Sequence, residues 1–355
     1  MAPQNIHVFL AGSGLIGSAL LTKINAQRER LLAEEGIALK GAGIVNTKKM
    51  VLGEHLGTLS GWKEELNTRG QKADLAQFVA GMKAMRLPNA VFVDCTASEE
   101  IPALYNTILA ERIAIVTPNK KGLSSNFKFY KNLKLLASQN HTRFLYETTV
   151  GAGLPVLSTI RDFMLCGDRV EKISAIVSGT LSYIFNSFEG NTTLSKAVRE
   201  AQKLGYTEPD PRNDLNGMDA ARKLVIVARE CALPMECADV EIEQLIPQGR
   251  KKETVKEFLK TLERYDAQFE AKKQRAIARG AVLRFVAEIE NGKAKMFLKE
   301  VASNHPFAGL RGSDNIFSFT TDHYHETPLI VRGKGAGAEV TSAGVFSDIF
   351  KAVRL

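Results

Sequence analysis

The stretch IHVFLAGSGLIGSALL, residues 6–21, decides how the N-terminal part of the chain is read. IHVFL has the apolar character of a strand, SALL opens a helical run that continues to about Glu35, and Gly12, Gly14 and Gly17 stand between them as G-x-G-x-x-G. Glycines in that position permit a tight turn. They also admit a pyrophosphate close to the backbone, where it meets the unpaired N–H groups and the positive end of the helix. The same glycines could merely pack a helix on a strand. Their place directly after a strand and at a helix start points to dinucleotide binding.

Outward from this turn the pattern repeats. LKGAGIVN (39–46), AVFVDCT (90–96), IAIVTPN (113–119) and FLYETT (144–149) are strand-like, with helical segments between several of them. Strands alternating with helices imply a mostly parallel sheet covered on both faces, an α/β, Rossmann-type doubly wound domain. After residue 150 the elements lengthen. GLPVLSTIRDFML, LSKAVREAQKLG and MDAARKLVIVAREC read as helices, and RVEKISAIVSGT, VLRFVAEIE and KMFLKEV as strands, which describes a second, α+β domain. The final PLIVRGKGAGAEVTSAGVFSDIFKA is again strand, glycine turn and helix. The expected division is therefore 1–150, completed by about 322–355, and 151–321.

The 355 residues suit two domains at about 100–200 residues each. With 45% hydrophobic residues and no apolar run of about 18, the chain reads as a soluble, cytoplasmic protein, with no signal pattern before IHVFL. The net charge of +8 comes from 47 basic and 39 acidic residues, a mixed surface with the basic residues spread along the chain, which would serve a phosphate-bearing small ligand as well as nucleic acid; the expected partners are small molecules, with no nucleic acid and no membrane. Residues 251–279 are a charged amphipathic region whose simplest reading is a solvated helix face. Cys95, Cys166, Cys231 and Cys237 lack paired metal spacing and read as reduced thiols.

Dinucleotide sites that favour NAD usually carry an acidic residue after the second strand. Here Asn46 takes that place and Lys48 and Lys49 follow, so NADP(H) is the expected preference, with NAD(H) possible. Cys95 and Lys120 lie just beyond strand ends, where α/β sheets bind ligands. Cys95 is more simply a small buried residue. Lys120 is as well read as a surface lysine as a ligand contact.

The most charged approach to a buried helix is GYTEPDPRNDLNGMDAARK, residues 205–223. Asp219 and Lys223 are four apart and share a helix face, as an exposed ion pair would. The next turn, Leu224 to Ala228, has no polar residue on any side. A lysine entering such a helix keeps its charge only beside carboxylates or a wet cleft, and Glu208, Asp210 and Asp214 are at hand to supply them. That favours a substrate site. In YETTVGAGLPV, Glu147 and a glycine-rich turn could bind a hard cation through oxygens, or simply begin a helix at Pro155.

Taken together, GYTEPDPRNDLNGMDAARK, YETTVGAGLPV, SGTLSYIFN (178–186), TPNKK and GAGAEVTSAGVFSD resemble homoserine dehydrogenase, in family order over essentially the whole chain. The nearest likeness is to the dehydrogenase half of bifunctional aspartokinase–homoserine dehydrogenases, with nothing resembling the kinase. The resemblance implies reversible NAD(P)-dependent interconversion of L-homoserine and L-aspartate 4-semialdehyde, leading to threonine, methionine and isoleucine, by a homodimer formed through the second domain. It implies Lys223 as general acid/base, with Lys120 also catalytic and beside Thr96 at the nicotinamide. Glu208, Asp219, Asp214, Gly179 and Thr180 would bind substrate. Gly12, Gly14, Leu15, Ile16, Gly17, Gly205 and Gly337 would join Asn46 and Lys48 at the cofactor. Glu147 and the carbonyls of Val150, Ala152 and Leu154 would hold a monovalent cation, sodium or potassium. One rival shares substrate and cofactor: aspartate-semialdehyde dehydrogenase, which needs a thiolate, for which Cys95 would be the candidate. A non-catalytic NADP(H)-binding sensor is the rival from another class.

Overall fold

The computed structural model describes residues 3–56, 59–247 and 253–353, which form two compact units, 1–153 with 337–355 and 154–336. Lys251 and Lys252, the first residues of the amphipathic region, lie outside the described residues.

In the first unit the strands are β1 (Gln4–Ala11), β2 (Ile37–Val45), β3 (Lys49–Leu52), β4 (Gln71–Lys72), β5 (Ala90–Asp94), β6 (Ala114–Val116) and β7 (Phe144–Leu145), in the order β4-β3-β2-β1-β5-β6-β7. β1 pairs in parallel with β2 and with β5, and β5, β6 and β7 continue in parallel. Ile6 to Ala11 are buried without alternation, as a strand covered on both faces requires. The helix Leu15–Glu35 buries Gly17, Leu20, Leu21, Ile24 and Leu31, one stripe at helical spacing, and stops at Gly36, whose φ of 65° closes it in the left-handed conformation. Val345 and Ile349 of the last helix, Ala338–Val353, join this same core. Each such burial contributes about 1.5–3 kcal/mol, enough to hold that helix on the first unit.

Two features depart from the sequence reading. β3 and β4 run antiparallel at the sheet edge, β3 returning from β2 through a turn at Asn46, so the sheet is mixed rather than parallel throughout. The segment 322–336 belongs to the second unit, and only the chain from Gly337 onward returns to the first.

In the second unit the strands are β8 (Val170–Ile176), β9 (Val240–Ile242), β10 (Ala281–Glu290), β11 (Lys293–Ala302), β12 (Asp314–Thr321) and β13 (Leu329–Lys334), in the order β13-β12-β8-β10-β11-β9. All neighbours are antiparallel except β11 and β9. The strand expected to run through Thr180 ends at Ile176. Ser178 then accepts a hydrogen bond from the Leu181 N–H and caps a helix, Gly179–Ser187. The amphipathic region forms helices Val255–Thr261 and Asp266–Ala278, the first opened by a reciprocal Thr254–Glu257 cap.

Candidate active site

The register of the first sheet sets Ala11 beside both Val45 and Asp94, so three strands end level where the strand order reverses. Beyond them lies a cavity of 1020 Å³, lined by residues 12–14, 45–48 and 95–98, among others. The three glycines do different things there. Gly12 has φ +91°, and a Cβ on it would lie 2.7 Å from Thr96 Cγ2. A Cβ on Gly17 would lie 1.9 Å from the Gly12 carbonyl oxygen, so the helix can sit this close to the turn only without a side chain. Gly14 meets nothing within 4 Å, which leaves open space over the helix N-terminus. Tight turn, close packing and open approach are the requirements of a dinucleotide pyrophosphate, and the residues present fit one.

On the second strand, Asn46 Oδ1 accepts the N–H groups of Lys48 and Lys49, both at 2.8 Å, and its Nδ2 donates to Ser13 Oγ at 3.3 Å. Asn46 thus shapes the hairpin turn as well as lining the cavity. Lys49 Nζ is turned to the Asn67 carbonyl, while Lys48 is exposed and stands in the cavity wall. Leu15, the first residue of the helix, is 85% exposed, and Ile16 comes next.

The ends of β5 and β6 hold an arrangement that sequence reasoning missed. Asp94 is fully buried and accepts four hydrogen bonds: Thr96 N (2.8 Å) and Thr96 Oγ1 (2.6 Å) on one oxygen, Tyr105 OH (2.6 Å) and Asn119 Nδ2 (2.9 Å) on the other. Burial pushes its carboxyl up, and these donors oppose that shift. Asn119 also caps the short helix that starts at Lys120. The one signal in the sequence is an acidic residue at the end of a parallel strand, in VDCT, where the neighbouring Cys95 is the more conspicuous candidate. Burial and the Asp94 charge push the Cys95 thiol well up, so it stays protonated near neutrality. A thiolate nucleophile, which the rival dehydrogenase needs, is therefore disfavoured at this position.

In the second unit the helix Met218–Glu230 starts at Gly217, whose φ of 72° suits glycine, and is buried on every side from Lys223 to Glu230. Lys223 is only 9% exposed. Its Nζ donates to the Val177 carbonyl at 2.8 Å and pairs with Asp219 Oδ2 at 3.1 Å. Val177 immediately precedes the Ser178 cap, so the lysine sits at the start of the Gly179–Ser187 helix. Thr180 Oγ1 donates to Asp214 Oδ1 at 2.8 Å, and the Glu208 N–H donates to Asp214 Oδ2 at 2.9 Å. Burial pushes the Asp214 carboxyl up, these two donors oppose it, and the nearby Asp219 charge adds to the rise. Asp214 therefore ties the loop together, while the Glu208 and Asp219 side chains remain exposed. Gly205, with φ +74°, lets the chain leave the preceding helix into this loop. Asp210 departs from expectation: it grips Arg212 through both oxygens, at 2.7–3.0 Å, so its charge is used within the loop.

In the loop after β7, Glu147, Val150 and Ala152 are buried, and Gly151 (φ +73°) and Ala152 (φ +54°) are both left-handed. The donors there are a carboxylate and carbonyl oxygens, a set that fits a hard cation. Glu147 N–H donates to Asp348 Oδ2 at 3.1 Å, which ties this loop to the last helix. The Leu154 carbonyl accepts the Val156 N–H at 2.9 Å. Gly337 adopts φ +124° just before the last helix. All four cysteines are free, and Cys166 is exposed. No helix among the described residues is long and apolar enough to cross a membrane.

This arrangement agrees with comparisons against known proteins. The model of the homoserine dehydrogenase NAD-binding domain matches residues 12–147, and that of homoserine dehydrogenase matches residues 155–350. The chain is 44% identical over 346 residues to the bifunctional aspartokinase/homoserine dehydrogenase 2, chloroplastic, of Arabidopsis thaliana, covering 96% of this chain and 38% of that protein. It is 39% identical to the homoserine dehydrogenase of Schizosaccharomyces pombe, covering 98% of this chain and 95% of that one. Among solved structures, a Candida auris protein of unknown function superposes with a TM-score of 0.91 at 34% identity, covering 98% of both chains. The chain spans about two fifths of the length of the bifunctional relatives it matches, 38% to 43%. With both family models matched in order and the glycine turn and lysine helix in place, the chain belongs to the homoserine dehydrogenase family.

Proposed function

We propose that the protein catalyses the reversible NAD(P)-dependent oxidation of L-homoserine to L-aspartate 4-semialdehyde, with Lys223 as general acid/base. The observation that carries this reading is the buried Lys223 amine, held by the Val177 carbonyl and Asp219, beside a loop that keeps Glu208 exposed. When bound, the nicotinamide accepts or returns the hydride. As homoserine is oxidised its hydroxyl must lose a proton, and Lys223 Nζ is the group positioned to take it and to give it back in reduction. Glu208 and Asp219 suit the substrate's ammonium. Its carboxylate suits the N–H groups of Gly179 and Thr180 at a helix start, with Asp214 holding Thr180 in place. Thr96 and Lys120 would serve the nicotinamide side, and Gly205 and Gly337 would complete the cofactor contacts.

For the cofactor's 2′-phosphate, Asn46 and Lys48 offer an amide and a cation where a carboxylate would repel it. NADP(H) should therefore be preferred. Glu147 with the carbonyls of Val150, Ala152 and Leu154 would hold sodium or potassium. The family likeness also implies a cytoplasmic homodimer placed before threonine, methionine and isoleucine. Steady-state rates with homoserine, NADP and NAD, each with and without added sodium or potassium, test the set. The expected result is a higher kcat/KM for NADP and a rate that rises with the cation. A clear NAD preference would remove the role given to Lys48, and indifference to both ions would remove the cation.

A further inference from the structure

Asp94 has no part in the chemistry given to Lys223 and its loop, yet its carboxylate accepts four hydrogen bonds at the mouth of the first sheet. It does not line the cavity. Its oxygens instead bind Thr96, in the turn after β5 that does line the cavity, and Asn119, which caps the helix carrying Lys120. Asn119 is itself 2% exposed, and its amide is shared with the Ser98 carbonyl at 2.9 Å, so it joins the two segments a second time. Thr117 closes the ring: its hydroxyl donates to the Asp94 carbonyl at 2.9 Å and accepts the Asn119 N–H at 2.9 Å.

We propose that Asp94 is a positioning residue for the nicotinamide half of the cofactor site, setting Thr96 and the Asn119–Lys120 helix start through three of its four hydrogen bonds, with Tyr105 holding the carboxylate by the fourth. The proposal rests on the assignment of Thr96 and Lys120 to that half. A carboxylate is the only side chain of this size that accepts on both arms. Asparagine keeps the shape but sets an NH2 against one N–H donor whichever way the amide is turned: the Thr96 N–H on one arm or the Asn119 amide on the other, the hydroxyl on that arm being free to turn and accept. The adenine half is assigned to Gly14, Asn46 and Lys48, none of which is among the side-chain hydrogen-bond partners of Asp94.

The test compares two ligands by calorimetric titration into the full chain: NADPH, and 2′-phospho-ADP-ribose, which lacks the nicotinamide. NADH and ADP-ribose replace them if the chain prefers NAD. Asp94→Asn should weaken the whole dinucleotide by roughly tenfold, the scale of one lost charge-assisted hydrogen bond, and leave the truncated ligand within about twofold. Equal weakening of both ligands, or of neither, overturns the proposal, because a residue that merely holds the fold has no reason to separate them. If Asp94→Asn does not fold, Tyr105→Phe removes one donor from the same carboxylate and is read the same way, with a split supporting the role and no split rejecting it. Neither titration contains homoserine. A wild-type chain that fails to oxidise homoserine would sink the function while leaving this comparison intact.

Discussion

Lys223→Ala is expected to lower kcat for homoserine oxidation by roughly 10² to 10⁴ with the fold intact, the usual scale for loss of a positioned acid/base. The size comes from placement. The amine is nearly buried and its carbonyl partner is 2.8 Å away. The turn beyond it, Leu224 to Ala228, is apolar throughout, so that stretch of the helix offers no second amine to replace it. Removal also strips a partner from the Val177 carbonyl, a cost of about 1–3 kcal/mol, so the variant's unfolding midpoint should be measured beside its rate. Lys223→Met, which keeps the volume and loses only the charge and the donor, should behave alike. Activity within a few-fold of the parent would shift the acid/base role to Lys120.

The second large effect is expected at Gly17. A Cβ 1.9 Å from the Gly12 oxygen cannot be absorbed by a side-chain rotation, because the obstacle is backbone. Gly17→Ala must push the helix and the turn apart, and a displacement of about 1 Å is enough for roughly 10²-fold in rate. We expect kcat/KM for the cofactor to fall by about that factor and the melting temperature to fall with it. Gly14→Ala gives the contrast: among the described residues nothing beyond its chain neighbours lies within 4 Å of its Cβ, so stability should hold while cofactor binding weakens, because the methyl occupies the space a pyrophosphate would enter. If both variants bound NADPH like the parent, the glycine turn would be packing alone.

Much of this is legible in the sequence alone, for physical reasons that differ by element. The first strand, the glycine turn and its helix are legible because unbroken apolar residues, glycine spacing and a helical stripe coincide within thirty residues. Lys223 is legible because a charge directly before LVIVA conflicts with burial, and Leu224 to Ala228 are indeed buried. The antiparallel β3 and β4 escape notice because four- and two-residue edge strands carry too little pattern. The Gly179–Ser187 helix is hidden because ISAIVSGT continues in strand-like residues to its end, and only Ser178 marks the cap. Asp210 looks like a site carboxylate, since the sequence shows Asp210 and Arg212 but not that the arginine folds back on both carboxylate oxygens. Asp94 is out of reach for a similar reason: Thr96 is its neighbour in the chain, but Tyr105 reaches it from the helix Tyr105–Ala110 and Asn119 from the end of β6, pairings that only the folded chain displays.

If the proposed function holds, this chain moves a hydride from homoserine to a nicotinamide. The direct measurement incubates the purified chain with L-homoserine and NADP, follows absorbance of the reduced cofactor, and quantifies L-aspartate 4-semialdehyde by a derivatising assay in the same samples. Reduced cofactor and semialdehyde are expected in equal amounts, both dependent on homoserine, with the reverse reaction consuming NADPH when semialdehyde is supplied. Cofactor binding with no homoserine-dependent reduction of either NADP or NAD, with or without sodium or potassium, would contradict it.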